Sequence, residues 1–156
     1  MKRGLESGDM IVRKSSLFPA PREEVFARLQ RLETLQYIAA PYATFTPVEK
    51  NTDLSWKEGA TSSYRFRLFG FIPFGVHTIR IERFDRNGIQ SREHNRLVPI
   101  WDHLITLEDL GNQTKYTDEV EIHAGRKTVF IWLWAKAFYA HRQRKWIRLL
   151  QTKATR

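Results

Sequence analysis

A long stretch of the sequence, from about residue 43 to residue 123, alternates apolar and polar side chains in six segments separated by short breaks. Alternation with a period of two is typical of strands that bury one face. The breaks include Asn87-Gly88, a tight-hairpin signal, and the turn residues around Gly111. Six consecutive segments with short links predict antiparallel strands over about 43–49, 60–69, 75–85, 88–97, 101–110 and 114–123.

Further elements are expected on both sides of this run. Met10–Phe18 is predicted as a first strand, and Pro21 suits the first turn of a helix that follows it. A second short helix is expected over about 34–39, before Pro41. From about residue 127 to the end, apolar residues recur at spacings of three and four, which predicts one long helix. The predicted fold class is α+β, with about seven strands packed on this C-terminal helix.

The length fits a single domain of this kind. A chain of 156 residues buries roughly 70% of its unfolded surface, so a sizeable core needs no cross-links. We expect a disordered tail at 1–9, one domain over 10–151 and a basic tail at 152–156. Cysteine is absent, which excludes disulfides, thiolate zinc sites and cysteine nucleophiles. Neither a secretory signal nor an apolar run of about 20 residues occurs, so we expect a cytoplasmic protein.

The whole net charge of +9 lies at the C-terminal end. Residues 125–156 hold nine Lys and Arg and no acid, whereas residues 1–124 hold 17 charges of each sign. Such a surface attracts anionic partners, and a peripheral position on an anionic membrane is one interpretation. Phe130, Leu133 and Trp134 fall off the main apolar stripe of the helix, so a ligand cavity, a homodimer partner or a membrane must cover them. The absence of any recognised nucleic-acid module argues against nucleic-acid binding.

The order of elements is similar to the helix-grip fold of the START-like (SRPBCC) superfamily. Residues 18–26, FPAPREEVF, look like that family's approach to its first helix. Residues 68–73 with 77–81, and Trp101-Asp102-His103 with Thr117-Asp118-Glu119-Val120, resemble a branch labelled polyketide cyclase/dehydrase-like. The resemblance covers about residues 10–151 and implies a curved sheet wrapped around the long helix, with a ligand cavity between them. Functions in the superfamily range from lipid transport to ring cyclisation.

Alternation also assigns side chains of four strands to one face of the sheet. If that face is concave, the cavity it lines is mainly apolar with a few polar groups, which suits an apolar molecule oriented by a few hydrogen bonds. We predict ten ligand-binding residues on the strands and two on the helix: His77, Ile79, Ile81, Ser91, Glu93, Asn95, Trp101, His103, Asp118 and Val120, with Phe138 and Arg142.

Several of these residues are titratable, which leaves two chemical interpretations open. Buried carboxylates and histidines have shifted pKa values, as acid–base catalysis requires, and His77, Glu93 or His103 would then move protons. The plainer interpretation is an internal ion pair of Glu93, Asp118 and Arg142, because buried charges seldom go unpaired. No metal-binding spacing, P-loop or dinucleotide motif occurs, so we expect neither a metal nor a cofactor.

The leading hypothesis is a protein that binds or carries a small hydrophobic molecule, such as a lipid, a quinone or a polyketide-like aromatic. A cyclase- or aromatase-type enzyme acting in the same cavity is one alternative, and an interaction module using the basic helix is another. A carrier predicts polar groups tied to one another, and an enzyme predicts a polar edge open to the ligand. An interaction module predicts no cavity of roughly 300 Å³ or more.

Overall fold

The computed structural model describes residues 8–49 and 57–154. A first strand is followed by two short helices, six further strands and a long helix. These elements are β1 (Met10–Phe18), α1 (Arg22–Leu29), α2 (Leu32–Ala39), β2 (Ala43–Pro47), β3 (Thr61–Leu68), β4 (Ile72–Asp85), β5 (Gly88–His94), β6 (Ile100–Asp109), β7 (Thr114–His123) and α3 (Thr128–Ala154). Most of the predicted tail at 1–9, and the last two residues of the predicted basic tail, lie outside the described residues.

The seven strands form one antiparallel sheet in the order β1-β7-β6-β5-β4-β3-β2. Short hairpins join the strands from β3 to β7, while the two short helices carry the chain from β1 across to the opposite edge. Irregular pairing interrupts β3–β4 and β4–β5, and such bulges bend and twist a sheet locally. The sheet curves around α3, which confirms the predicted α+β helix-grip fold.

Two buried clusters occupy the space between sheet and helix. In one, the ring of Phe18 stacks on Tyr116 at 4.5 Å between centroids and lies 5.6 Å from Trp146 of α3. In the other, β7 residues such as Val120 pack with residues such as Phe138. Aromatic pairs of this kind add roughly 0.5–1.5 kcal/mol beyond the apolar area they bury. Members of both clusters also line a cavity between them.

Element boundaries differ from prediction in two informative places. The strand β4 begins at Ile72 rather than near residue 75, because Ile72 and Pro73 pair with Leu68 and Arg67 across a tight turn. The strand β5 ends at His94 rather than near residue 97, which leaves Asn95 in the following loop, where its side-chain oxygen accepts from the backbone N–H groups of Leu97 and Val98. The helix α3 extends to Ala154, in agreement with the helix predicted from about residue 127 to the end.

A glycine is required at position 88, at the start of β5, because the neighbouring strand approaches the backbone closely there. Its φ is +149°, and a Cβ there would lie 1.9 Å from the carbonyl oxygen of Ile105. Since that oxygen belongs to the backbone of the neighbouring strand, Gly88→Ala should lower the free energy of unfolding by about 3 kcal/mol or more. Urea denaturation measures this loss.

A glycine in open space provides the control. Gly111 has φ +84° and nothing within 4 Å of a built Cβ. Gly111→Ala should therefore cost only the strain of a left-handed backbone, about 1–2 kcal/mol. Equal losses in the two variants would contradict the close approach at Gly88.

Candidate ligand-binding site

A mainly apolar cavity of about 240 Å³ lies between the concave face of the sheet and α3. Strands β2 to β6, both short helices and α3 all contribute to its wall. Phe130 both lines the cavity and is 74% exposed, which places one rim of the opening at the start of α3. The volume is below the roughly 300–1,000 Å³ of sites for drug-sized ligands, so the cavity suits a compact molecule. It is also below the volume that separates a ligand-binding protein from an interaction module, so the interaction module stays an alternative.

Nine of the twelve predicted site residues lie in the cavity wall: His77, Ile79, Ser91, Glu93, Asn95, Trp101, His103, Phe138 and Arg142. The other three face the interior but are not part of that wall. Ile81 and Val120 belong to the two buried clusters, where neighbouring side chains fill the space above the sheet. Asp118 hydrogen-bonds to His103, which does reach the wall. Direct contact of these residues with a ligand stays a prediction.

The predicted set omits wall residues both on the analysed strands and beyond them. Tyr64, Phe66 and Leu68 alternate along β3, so the same period of two could have identified them. Leu29 and Leu35 come from the short helices, and spacing within a helix does not show where that helix packs on a sheet. Further lining residues that the predicted set omits are Ala39, Phe45, Phe74, Ile89, Val98, Ile105, Phe130, Ile131, Trp134 and Tyr139.

Glu93 is held by polar neighbours from three strands. Nε2 of His77 lies 2.7 Å from its Oε2, and the hydroxyl of Ser91 donates to its Oε1 at 2.6 Å. Nδ1 of His103 lies 3.8 Å from Oε1, a distance for charge attraction rather than a direct hydrogen bond. The sheet register explains this grouping. Ser91 on β5 pairs with His103 on β6, and Ser91 and Glu93 are two positions apart on β5, so their side chains lie on the same face of the sheet. Both carboxylate oxygens therefore have partners within the protein.

Asp118 is fully buried behind His103 and anchors the second half of the network. Nε2 of His103 lies 2.7 Å from its Oδ1, and the hydroxyl of Tyr116 donates to the same oxygen at 3.3 Å. The side-chain amide of Gln143 on α3 donates to Oδ2 at 2.9 Å, and its oxygen accepts from Ser16 at 2.6 Å. The network thus extends from β4 across the sheet to β1 and ties the sheet to α3.

Opposing electrostatic effects set the charges of this network. Burial alone would raise the pKa of Glu93 and of Asp118, but His103 and the other polar partners outweigh burial and lower both. Burial alone would lower the pKa of His103, yet its interactions with Asp118 and Glu93 raise it. Burial also opposes the charge of Arg142, while Tyr116 and Asp118 raise its pKa. The charges of His103 and Arg142 thereby offset part of the charge of the two carboxylates.

These contacts correct the predicted ion pair of Glu93, Asp118 and Arg142. Each carboxylate has a histidine nitrogen as its close partner instead: His77 on β4 lies beside Glu93 on β5, and His103 on β6 lies beside Asp118 on β7. Among residues 8–49 and 57–154, no nitrogen of Arg142 lies within 4.0 Å of a carboxylate oxygen. Its guanidinium lies over the ring of Tyr139 instead, 5.7 Å from the centroid.

The order of the elements and the curved sheet around α3 define a helix-grip fold. Many solved structures share this fold, among them three that align over at least 90% of this chain. A START superfamily protein from Mycobacterium smegmatis aligns with a TM-score of 0.69 and 12% identity, covering 91% of this chain and 97% of that one. The Zhui aromatase/cyclase from Streptomyces sp. R1128 aligns at 0.62 and 14%, covering 95% and 94%. A protein from Chromobacterium violaceum aligns at 0.69 and 14%, covering 90% and 96%.

The chain belongs to the family described as Domain of unknown function (DUF8410), whose family model matches residues 16–150. Comparison with curated protein sequences gives no significant match. No helix in the described part of the chain is both long and apolar enough to cross a membrane. Within those same residues, no group of three or more His, Cys, Asp or Glu is arranged to hold a metal ion.

His103 should keep its proton above the ordinary histidine pKa of about 6.5, because Asp118 and Glu93 outweigh the effect of burial. The folded-state pKa then exceeds the unfolded value. Stabilisation from this proton is therefore complete below about pH 6.5 and is lost as the pH rises through the folded-state pKa. A nuclear magnetic resonance titration of the His103 ring measures this pKa directly.

Asp118→Asn tests the cause of the shift. The substitution removes the negative charge that lies 2.7 Å from His103, so the pKa of His103 should fall in the variant. The control is Asp109→Asn, which removes a half-exposed carboxylate that lies near Arg22 and should leave the pKa of His103 unmoved. An unchanged His103 titration in the variant would contradict the assigned pairing.

Proposed function

We propose that this protein binds a compact and largely apolar small molecule in the cavity between the sheet and α3. The observation that carries the proposal is the wall itself, where aromatic and aliphatic side chains predominate and the carboxylate of Glu93 is tied to His77 and Ser91. Such a wall stabilises an apolar ligand by roughly 25 cal/mol for each Å² of apolar surface buried. The ligand classes we propose are a lipid, a quinone or a polyketide-like aromatic.

The arrangement of aromatic rings favours the flat members of this set. Trp134 stacks on Phe138 with centroids 4.8 Å apart and an interplanar angle of 12°. Trp101 meets Trp134 edge-on at 6.4 Å, so two indoles form a corner of the wall. Flat surfaces at an angle to each other complement a planar ring system, which can stack on one surface and meet the other with its edge. This supports an aromatic or quinone-like ligand.

A cyclase- or aromatase-type enzyme is the second candidate. The hydrogen-bonded row from His77 through Glu93 and His103 to Asp118 favours it, and the similar Zhui structure is an aromatase/cyclase. Proton transfer to a ligand, however, needs an acid or base with an unoccupied edge toward that ligand. Both oxygens of Glu93 have partners within the protein, and Asp118 lies outside the wall. These contacts favour the carrier, and the enzyme hypothesis therefore depends on His77 and His103, which line the wall.

Three hypotheses about the surface of α3 stay predictions: a contact with an anionic membrane, a homodimer contact and an interaction module that uses the basic helix. Arg144 and Arg148 are exposed on α3, whereas Lys145 lies 3.9 Å from the ring centroid of Tyr37 on α2. Of the three apolar residues off the main stripe, Phe130 and Trp134 line the cavity. Leu133 is exposed and remains available to a membrane surface or a second copy of the chain.

Filling the cavity should abolish binding of a neutral fluorescent probe such as N-phenyl-1-naphthylamine. Ile79 lies in the cavity wall on β4, so Ile79→Trp places an indole in the ligand space. We expect saturable probe binding by the wild type and affinity weaker by about tenfold or more in the variant, equivalent to roughly 1.4 kcal/mol. Fluorescence titration provides both values.

The matched control is Val76→Trp on the same strand. Val76 is 47% exposed, and its side chain points to the opposite face of the sheet from the neighbouring His77. This variant adds the same indole outside the cavity and should bind the probe within about twofold of the wild type. Probe binding that is absent from the wild type, or lost equally in both variants, would refute the cavity as the binding site.

A further inference from the structure

Three connections of the chain lie together at one end of the sheet, around the opening of the cavity. Because neighbouring strands are antiparallel, the β3–β4 hairpin, the β5–β6 loop and the link from β7 to α3 are all at this end. Each has residues in the cavity wall: Leu68 and Phe74, Asn95 and Val98, and Phe130 and Ile131. We refer to residues 67–74, 95–99 and 125–136 as the mouth.

The mouth exposes large apolar side chains to solvent. Phe71, at the tip of the β3–β4 hairpin, is 73% exposed, close to the value for Phe130. Seven of the thirteen large apolar side chains that the described residues expose lie in the mouth, the other five being Phe69, Ile72, Leu97, Val129 and Leu133. Single exposed apolar residues are common, but a group gathered at one place marks a contact with another molecule or a membrane.

The backbone of the hairpin tip favours a different residue from the one it carries. Phe69 has φ +53°, and among the described residues no other non-glycine residue has a positive φ. Asn, Asp and Gly adopt this conformation readily, whereas a bulky side chain is strained there. The ring of Phe69 lies 5.9 Å from that of Tyr42 and is still about half exposed. An exposed aromatic ring at a strained position indicates a role other than stabilising the fold.

Positive charge surrounds these apolar side chains. The mouth contains no Asp or Glu. Within residues 8–49 and 57–154, no carboxylate oxygen lies within 4.0 Å of its exposed cations Arg67, Arg96, Arg126 and Lys127. The acids nearest to it are half-buried and each interacts with another residue: Asp9, Asp102 and Glu121. At the opposite end of the sheet exposed acids accompany the cations: Glu23, Glu58, Asp85, Glu108 and Asp109.

Two of these cations lie where positive charge opposes the helix. Arg126 and Lys127 immediately precede α3, whose first turn contains no acid. Because the N-terminus of a helix carries a partial positive charge, cations there reduce its stability. Attraction to an external anion explains these two residues better than folding does.

Charge and polarity together distinguish between the possible partners. A second copy of the chain in a two-fold dimer would place the mouth against itself and bring its cations together without an acid between them. An anionic bilayer fits both features, because its headgroups attract Lys and Arg while the boundary with the acyl chains accepts Phe and Leu side chains.

We propose that the mouth docks on the anionic surface of a lipid bilayer, with Phe71, Phe130 and Leu133 inserted between the headgroups. The opening of the cavity then faces the apolar part of the bilayer. In one respect the inference rests on the proposed function: an apolar ligand passes between membrane and cavity without crossing water. The contact lies at the start of α3 rather than at the exposed cations near its end, Arg144 and Arg148.

Sedimentation with lipid vesicles tests the apolar part of the contact. The wild type should bind phosphatidylcholine vesicles containing about 30% phosphatidylserine about tenfold or more tightly than phosphatidylcholine alone. Phe71→Ser combined with Leu133→Ser removes two exposed side chains outside the cavity wall and should weaken this binding about tenfold or more. The control combines Leu17→Ser with Leu110→Ser, exposed at the opposite end, and should bind within about twofold of the wild type.

A second pair of variants separates the two basic regions. Arg126→Gln with Lys127→Gln should weaken binding to the anionic vesicles about tenfold or more. Arg144→Gln with Arg148→Gln removes the same charge roughly 25 Å further along α3, beyond the Debye length of about 8 Å, and should have an effect of at most about twofold. Circular dichroism checks that every variant is folded.

A fluorescent label locates the inserted surface independently. Because the chain has no cysteine, a single one can carry a nitrobenzoxadiazole group, whose emission moves to shorter wavelength in an apolar environment. The label on Leu97→Cys, in the mouth, should shift when anionic vesicles are added. The same label on Leu110→Cys, at the opposite end, should not.

The remaining outcomes separate this inference from the proposed function. If the wild type does not bind the anionic vesicles, the inference is overturned, while uptake of N-phenyl-1-naphthylamine without vesicles still supports the ligand-binding function. Equal losses in mouth and control variants would overturn the mouth as the docking surface. A wild-type dimer that dissociates in the mouth variants would replace the bilayer with a second copy of the chain. Vesicle binding without probe uptake would overturn the proposed function alone.

Discussion

The interaction on which the interior depends is the imidazole of His103 held between Asp118 and Glu93. Two carboxylates on the buried face of a sheet would each carry a large desolvation cost if left unpaired. His103 lies on the strand between them and offsets part of that cost for both at once. Gln143 then connects Asp118 to α3, so the position of the helix and the pairing of the charges depend on each other.

This pairing also explains why the cavity is apolar despite its polar lining residues. Once His77 and Ser91 occupy the oxygens of Glu93, that carboxylate offers little to a ligand. What remains toward the open space is mainly aromatic and aliphatic surface. The same network that stabilises the interior therefore narrows the chemistry that the cavity accepts. Affinity then depends mainly on apolar contact.

Much of this fold could be predicted from sequence, since period-two alternation is a local property. The range of β7 was predicted without error, and the tight turn at Asn87-Gly88 fixed the boundary between β4 and β5. The face of His77, Glu93 and His103 followed from the same alternation. Which side chain pairs with each buried carboxylate could not be predicted in this way. The pairing depends on the order of the strands in the sheet and on the rotation of α3. Both are set by tertiary packing rather than by local spacing.

If the unfilled apolar space holds a small molecule, native mass spectrometry of freshly purified protein should detect that molecule. The spectrum should show a complex heavier than the chain of 18.5 kDa by the mass of one compact organic molecule, which denaturation in organic solvent releases for identification. A spectrum showing only the bare chain, from protein that also fails to take up an added apolar compound at saturating concentration, would contradict it.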